Sequence, residues 1–312
     1  MTRRRVLVSA VFFVLVVAFA AFVLARVDWT TLAAVRPDPG RLIAATAVGI
    51  AFRLLGAFIW MFFLHRLGAR DVLRIAGRLI DVFSRGWIGR YIPVPGLWIA
   101  GKAYFATSLG IPARALATSG FSEAILQLAA ALIVAAGFGM LPLGTAAPVP
   151  GWLVLAAALL ALVASLPPVF RVLTTTVYRI VRRPVDENTR WPGTGTMAGG
   201  LAFYAIAALV SGVSYVLLGI ALFPGLDAED AVAILVAVSV AAAASLVAVF
   251  APGGIGVREA TIVAFLSPAV GVDGALLFAL AGRVWSIAVD ALFLGLGMLI
   301  GAFASGGSRT VS

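Results

Sequence analysis

The 312-residue sequence predicts an all-α polytopic membrane protein with about six full spans and two interrupted, re-entrant helical hairpins, arranged as an inverted repeat. Three observations predict it. Hydrophobic residues make up 62% of the chain and charged residues 12%, and mean hydropathy is +1.11, more apolar character than a soluble domain of this length needs. Apolar runs of ~20 residues, long enough to cross the ~30 Å hydrocarbon layer, recur along the chain. A Pro-Gly break followed by a charged residue and alanine occurs twice, 157 residues apart: Pro95-Gly96 with Lys102-Ala103, and Pro252-Gly253 with Glu259-Ala260. Interrupted helices at corresponding positions of two halves point to a binding site at bilayer depth.

The elements follow in order. Arg3, Arg4 and Arg5 precede a first apolar run, 6–25; it is long enough to cross and has no clean small-x-small site after it, so it reads as an uncleaved span rather than a signal peptide. Further spans are expected at 42–64, 115–140, 151–168, 198–222 and 273–303. Residues 70–92 carry too many charges to cross and 97–109 are too few, so together they predict a helix–break–helix hairpin around Pro93-Val94-Pro95-Gly96. Residues 229–250 and 255–267 predict a second hairpin around Pro252-Gly253. Irregular backbone at membrane depth survives only where protein or a wet cavity covers it, so both breaks should face inward.

The halves, 1–150 and 151–312, align as span, span, hairpin, span within one transmembrane domain. Residues 42–64 fall on 199–221 and 72–92 on 229–249 at the same offset; after the break the offset becomes 160, placing Glu123 opposite Arg283. Three full spans per half invert the second copy. The alternative is that 229–267 crosses twice, giving eight spans.

Charge asymmetry predicts orientation. Arginines crowd the N-terminus, the segment after the second span (Arg66, Arg70, Arg74, Arg78) and the 169–197 loop (Arg171, Arg179, Arg182, Arg183, Arg190), whereas the 141–150 loop is uncharged and the 224–230 loop is acidic. The positive-inside rule then puts both termini and the arginine-rich loops in the cytoplasm of a cell expected to be prokaryotic, with the chain in its plasma (inner) membrane. Arg66, Arg70, Arg74 and Arg78 recur every four residues, which predicts one face of an amphipathic interfacial helix, either a site for anionic headgroups or a topology anchor.

Composition also bounds the chemistry. The net charge of +10 lies between apolar runs rather than on one soluble face, so nucleic acid is not the expected partner. The chain has no cysteine, which excludes disulfides and thiolate sites, and its one histidine, His65, lies at the end of a span without a metal-binding spacing. No metal or cofactor is expected. Gly254-Ile255-Gly256 has no βαβ context for a nucleotide; its sharper reading is a set of backbone N–H groups opening a short helix, an anion site for a lipid phosphate.

The informative residues are the charges inside apolar segments: Arg53, Lys102, Glu123, Arg258, Glu259, Arg283 and Asp290. Each costs ~3 kcal/mol or more unless paired or wetted. Lys102 and Glu259 are pseudo-equivalent with opposite signs, as are Glu123 and Arg283, so the pairs are expected to meet across the repeat. Asp290 lies two turns beyond Arg283 on the same helical face. These charges either fix helix packing as buried ion pairs or line a polar cavity for a headgroup.

The stretch Ala251-Pro252-Gly253-Gly254-Ile255-Gly256-Val257-Arg258-Glu259-Ala260 is similar to the PGGxGxRE signature of the lysylphosphatidylglycerol synthase transmembrane region, or flippase-like, family. Gly89-Arg90-Tyr91-Ile92-Pro93-Val94-Pro95-Gly96-Leu97-Trp98 resembles the family's Y-x-P-G-x-x-W element, and Ser122-Glu123, Arg283 and Asp290 resemble its membrane charges. The chain departs from the pattern at Val94-Pro95 and at Ala124, so lipid selectivity is not carried over. The resemblance implies movement of an anionic phospholipid or a polyprenyl-phosphate-linked sugar between leaflets. It implies a headgroup site at Lys102, Glu123, Arg258, Glu259, Arg283, Asp290, Gly253, Gly254, Gly256, Pro95, Gly96 and Trp98. Some members carry a fused aminoacyl-transferase domain; this chain is expected to stand alone, with any lipid-modifying enzyme a separate partner. The rival expectations are a membrane-embedded glycosyl- or acyltransferase, and a scaffold for such an enzyme.

Overall fold

The computed structural model describes residues 36–91, 97–140, 149–180, 182, 185–248, 251 and 254–306. The expected span 6–25, the breaks at Pro95-Gly96 and Pro252-Gly253, and the extreme C-terminus lie outside the described residues. Every regular element described is helical: α1 (Pro39–Arg66), α2 (Ala76–Ile88) running into a 3₁₀ turn (Gly89–Tyr91), α3 (Leu97–Thr107), α4 (Ala113–Gly139), α5 (Gly151–Ser165), α6 (Pro167–Ile180), α7 (Thr194–Leu222), α8 (Ala228–Val247) and α9 (Val257–Gly306). The protein is an all-α polytopic membrane protein. Among the described residues five helices (α1, α4, α7, α8 and α9) are long and apolar enough to cross a membrane, and the bent pair α5–α6 makes a sixth candidate. Large apolar side chains point outward from them, Val284 on α9 and Leu160 on α5 among the most exposed, as a surface meeting acyl chains requires.

Two elements differ from the sequence expectation. The span at 151–168 stops at Ser165, where α5 turns by 83° into α6. Pro167 and Pro168 follow Leu166, whose extended ψ of 133° is the conformation a residue before proline prefers. Fifteen residues of α5 cover only about 22 Å. The other is the arginine ladder. Arg66 ends α1 and Arg78 lies in α2, but 67–75 is a turn, with Gly68 at φ 93° and Asp71 at φ 55°, so the four arginines do not share a helix. Leu67, Ala69 and Val72 are buried beneath this turn and hold it in place.

α1 and α7 pack along their lengths in opposite directions. The Asp38 amide before α1 donates to the Ala221 carbonyl near the end of α7 at 3.0 Å, and Arg66 at the end of α1 donates to Thr196 at the start of α7 at 3.2 Å. Two such helices in corresponding positions of the halves must be antiparallel if the repeat is inverted and parallel if it is not. α2 packs on the second part of α9, and α8 on α4, so each half lends its shorter arm to the other. At the first contact Gly297 and Gly301 form a small-xxx-small ridge: a Cβ on Gly297 would lie 2.3 Å from Ser84 Oγ, and one on Gly301 2.7 Å from Asp81 Cβ. α9 bends at Gly271 (φ 75°, ψ 166°), three residues after Pro268, which divides it into the short helix and the span that the sequence predicts separately.

The 67–75 turn, the 108–112 turn and the 185–193 loop meet at one end of the bundle, where Arg114 reaches Asp186 at 3.4 Å and Gly68 lies against Arg190. Both described arginine-rich connections therefore share a face. At the opposite end Arg41 donates to the Ile220 carbonyl at 3.1 Å, beside the acidic connection before α8, which Asp227 and Asp230 close as a capping box.

Candidate functional site

Lys102, the chain's lone lysine, sits on α3 in a pocket that its helix crossing creates. A Cβ on Gly86 would approach Lys102 Cγ to 2.4 Å, so the bare backbone of α2 is what admits the lysine stem. Its ammonium donates to both carboxylate oxygens of Glu123 on α4, each at 2.7 Å. The rings of Trp98, Phe83 and Trp60 lie 4.7, 4.9 and 5.2 Å from Nζ. The pair is nearly sealed, with 4% and 1% of the two side chains exposed. Burying charges costs several kcal/mol per ion before pairing; the bidentate contact and three aromatic faces offset that cost.

Glu259 and Arg283 form the corresponding pair of the second half at 3.6 Å, with 14% and 16% exposed. Sequence alignment had placed Lys102 opposite Glu259 and Glu123 opposite Arg283, and contacts were expected across the repeat. Instead Glu123 and Glu259 each pair within their own half. Lys102 and Glu123 flank one turn, and Glu259 and Arg283 flank the bend at Gly271, so a local hairpin closes each pair at a lower loop-closure cost than an interhalf contact. The polarity is reversed between halves: base before acid in the first, acid before base in the second.

Asp290 is the hub between the halves. Its Oδ1 accepts from Arg53 Nε at 2.5 Å and from Trp87 Nε1 at 2.9 Å, and its Oδ2 accepts from Tyr91 Oη at 2.5 Å. Arg53 also donates to the Gly49 and Ser286 carbonyls at 2.9 and 3.3 Å, so each of its three nitrogens holds a protein acceptor. Arg283 lies 5.5 Å from the Tyr91 ring, linking the second pair to this hub, so Arg283 and Asp290 do converge, through Tyr91.

Two more arginines complete the network. Arg258 donates to Tyr215 Oη on α7 at 2.5 Å. Arg90 stacks on Trp87 at 3.4 Å, within electrostatic reach of Asp290, Arg53 and Arg258, and its Nε is buried without a hydrogen-bond partner. Among the described residues Arg53, Arg90, Arg258 and Arg283 thus face two carboxylates, Glu259 and Asp290, an excess of two positive charges within that set; the Lys102–Glu123 pair is neutral. Beside the hub, Phe52, Trp87, Gln127, Tyr204, Ser211 and Ser239 line a cavity of about 80 Å³ between α1, α2, α4, α7 and α8.

The glycines after the second break serve a different end from the expected one. Gly254 and Gly256 have φ of 69° and 84°, and a Cβ on Gly254 would lie 2.4 Å from Ser245 Oγ. The Gly256 amide donates to Glu259 Oε2 at 2.7 Å, so the chain's own carboxylate occupies the helix N-terminus that was expected to receive a lipid phosphate. Of the remaining expected residues, Trp98 faces Lys102, whereas Pro95, Gly96 and Gly253 lie outside the described residues.

Trp87 and Tyr215 are network members that sequence reasoning did not single out, and Arg90 and Tyr91 entered it only as part of the first-half motif, with no role of their own. Trp87 and Tyr91 carried a signal: aromatic residues with a polar donor immediately before a helix break. Among the described residues no group of three or more His, Cys, Asp or Glu side chains gathers as a metal would need. The chain matches no protein-family model, and no curated protein matches it significantly.

Proposed function

We propose that the chain moves a lipid with an anionic headgroup, an anionic phospholipid or a polyprenyl-phosphate-linked sugar, between the leaflets of the plasma membrane, with the arginine-rich face cytoplasmic. The observation that carries the reading is the charge balance of the network among the described residues: four arginines, Arg53 buried and the other three half-buried, against two carboxylates inside an otherwise apolar bundle. A phosphate or phosphodiester supplies the missing negative charge, and the Arg90 Nε has a donor to offer it. Intramembrane charge of this kind marks a substrate path more often than a packing device. The pairs that are already neutral, Lys102–Glu123 above all, supply the rigid wall.

The test is reconstitution into liposomes carrying a fluorescent anionic lipid, with leaflet exchange followed by quenching from outside. Arg90→Gln and Arg258→Gln are expected to slow exchange at least tenfold with the melting temperature retained. Exchange at the rate of empty liposomes for the unaltered protein, or an unchanged rate in both variants, would overturn the reading. Recovered lipid of unchanged mass distinguishes movement from group transfer.

A further inference from the structure

At the arginine-rich end, outside the buried network, an open basin of about 1100 Å³ is lined by Arg70, Arg74, Arg78, Arg114 and Arg190, with one acid, Asp71. Five bases against one acid leave four positive charges on the lining. Three segments far apart in sequence bring them together: the 67–75 turn with the start of α2, the start of α4, and the loop before α7. Among the described residues no ion pair engages Arg70, Arg74, Arg78 or Arg190; Arg114 alone reaches a carboxylate, Asp186 at 3.4 Å. The scaffold beneath is built rather than slack, with Leu67, Ala69, Val72 and Ile111 buried under the rim. Gly68 lets Arg190 close in: a Cβ there would lie 2.7 Å from its Nη1. Like charges held together by a packed scaffold repel one another unless a counter-anion joins them.

We propose that this basin is a binding site for a phosphate-bearing anion of at least two negative charges, of the pyrophosphate class, either attached to a lipid or free. Planar guanidinium groups approaching from several sides match a pyrophosphate, whose oxygens accept forked N–H pairs. The lipid-attached form is favoured by Leu73, which is 86% exposed between Arg70 and Arg74 and suits the rim to the headgroup–acyl boundary. The proposal concerns binding alone and stands whether or not the chain moves a lipid.

The experiment titrates the purified full chain, by calorimetry, with inorganic pyrophosphate and separately with a polyprenyl pyrophosphate in mixed micelles, using phosphatidylcholine micelles as baseline. Binding above baseline is expected with at least one probe. Tighter binding of the polyprenyl pyrophosphate assigns a lipid-borne ligand; equal or tighter binding of free pyrophosphate assigns a soluble one. Arg74→Gln/Arg78→Gln is expected to weaken binding at least tenfold, Arg74→Lys/Arg78→Lys to restore part of it, and Arg41→Gln, at the other end of the bundle, to leave it unchanged. No binding of either probe, full binding by the Gln pair, or an equal loss in Arg41→Gln would each overturn the proposal.

Discussion

Lys102 and Glu123 hold one another through both carboxylate oxygens at 2.7 Å, while Glu259 is paired with Arg283 at 3.6 Å. Lys102→Met or Glu123→Gln alone strands the other charge, which should cost about 3–5 kcal/mol. The double variant should cost clearly less than the sum. A thermal-stability cycle in detergent checks this, with Glu123→Gln/Arg283→Gln as the comparison. Near-additive losses are expected for that second pair, because Glu123 is paired with Lys102 and Arg283 with Glu259.

Asp290 offers a graded series. Tyr91→Phe removes one hydrogen bond to a charged acceptor, a loss of about 1.5–3 kcal/mol. Asp290→Asn keeps an acceptor for Trp87 but leaves the Arg53 guanidinium buried without a counter-charge, and should cost about 3–5 kcal/mol. Chemical unfolding of the two variants side by side checks the order; a Tyr91→Phe variant less stable than Asp290→Asn would show that Asp290 is not the hub.

The contact between α2 and α9 should resist any added bulk. Gly297→Leu drives a branched side chain into Ser84, where even a Cβ would sit 2.3 Å from the hydroxyl. Gly295→Leu, two residues away on another face of the helix, meets open space. Overpacking of this kind costs about 1–3 kcal/mol or more, so the first variant should lose thermal stability and the second should keep it.

Orientation can be read with cysteines, since the chain has none of its own. Asp186→Cys should resist a membrane-impermeant maleimide applied to intact cells, and Asp227→Cys should be labelled. The reverse pattern would turn the protein over in the membrane, and equal labelling of both would contradict their placement at opposite ends of the bundle.

The spans were legible because lipid imposes length and composition on α1, α4 and α7, leaving little else for an apolar run of that size to be. The in-membrane charges were legible for the same reason: Lys102, Glu123 and Asp290 stand out against alanine and leucine. Their partners were not. Arg53 and Asp290 are 237 residues apart, and no local pattern joins them. Trp87 and Tyr91 both donate to Asp290, 203 and 199 residues further on, a contact equally invisible to local pattern. The ladder from Arg66 to Arg78 misled because a four-residue spacing satisfies a helix on paper, while the left-handed backbone at Gly68 and Asp71 breaks it. The missed helix α6 had its cue in Pro167-Pro168, a start signal read as the end of a span.

The exchanged contacts, α2 lying on α9 and α8 lying on α4, have a mechanical consequence. Two blocks that merely abut can rock about their seam, as many transporters do. Here each block has an arm clasped by the other, and the seam runs through both clasps. Rocking the halves as rigid bodies would pull the arms free of their grooves and break the Asp290 hub with them. Under the proposed function the motion would be smaller: an arm sliding in its groove, or α9 flexing at Gly271, about the antiparallel pair α1 and α7 as a keel.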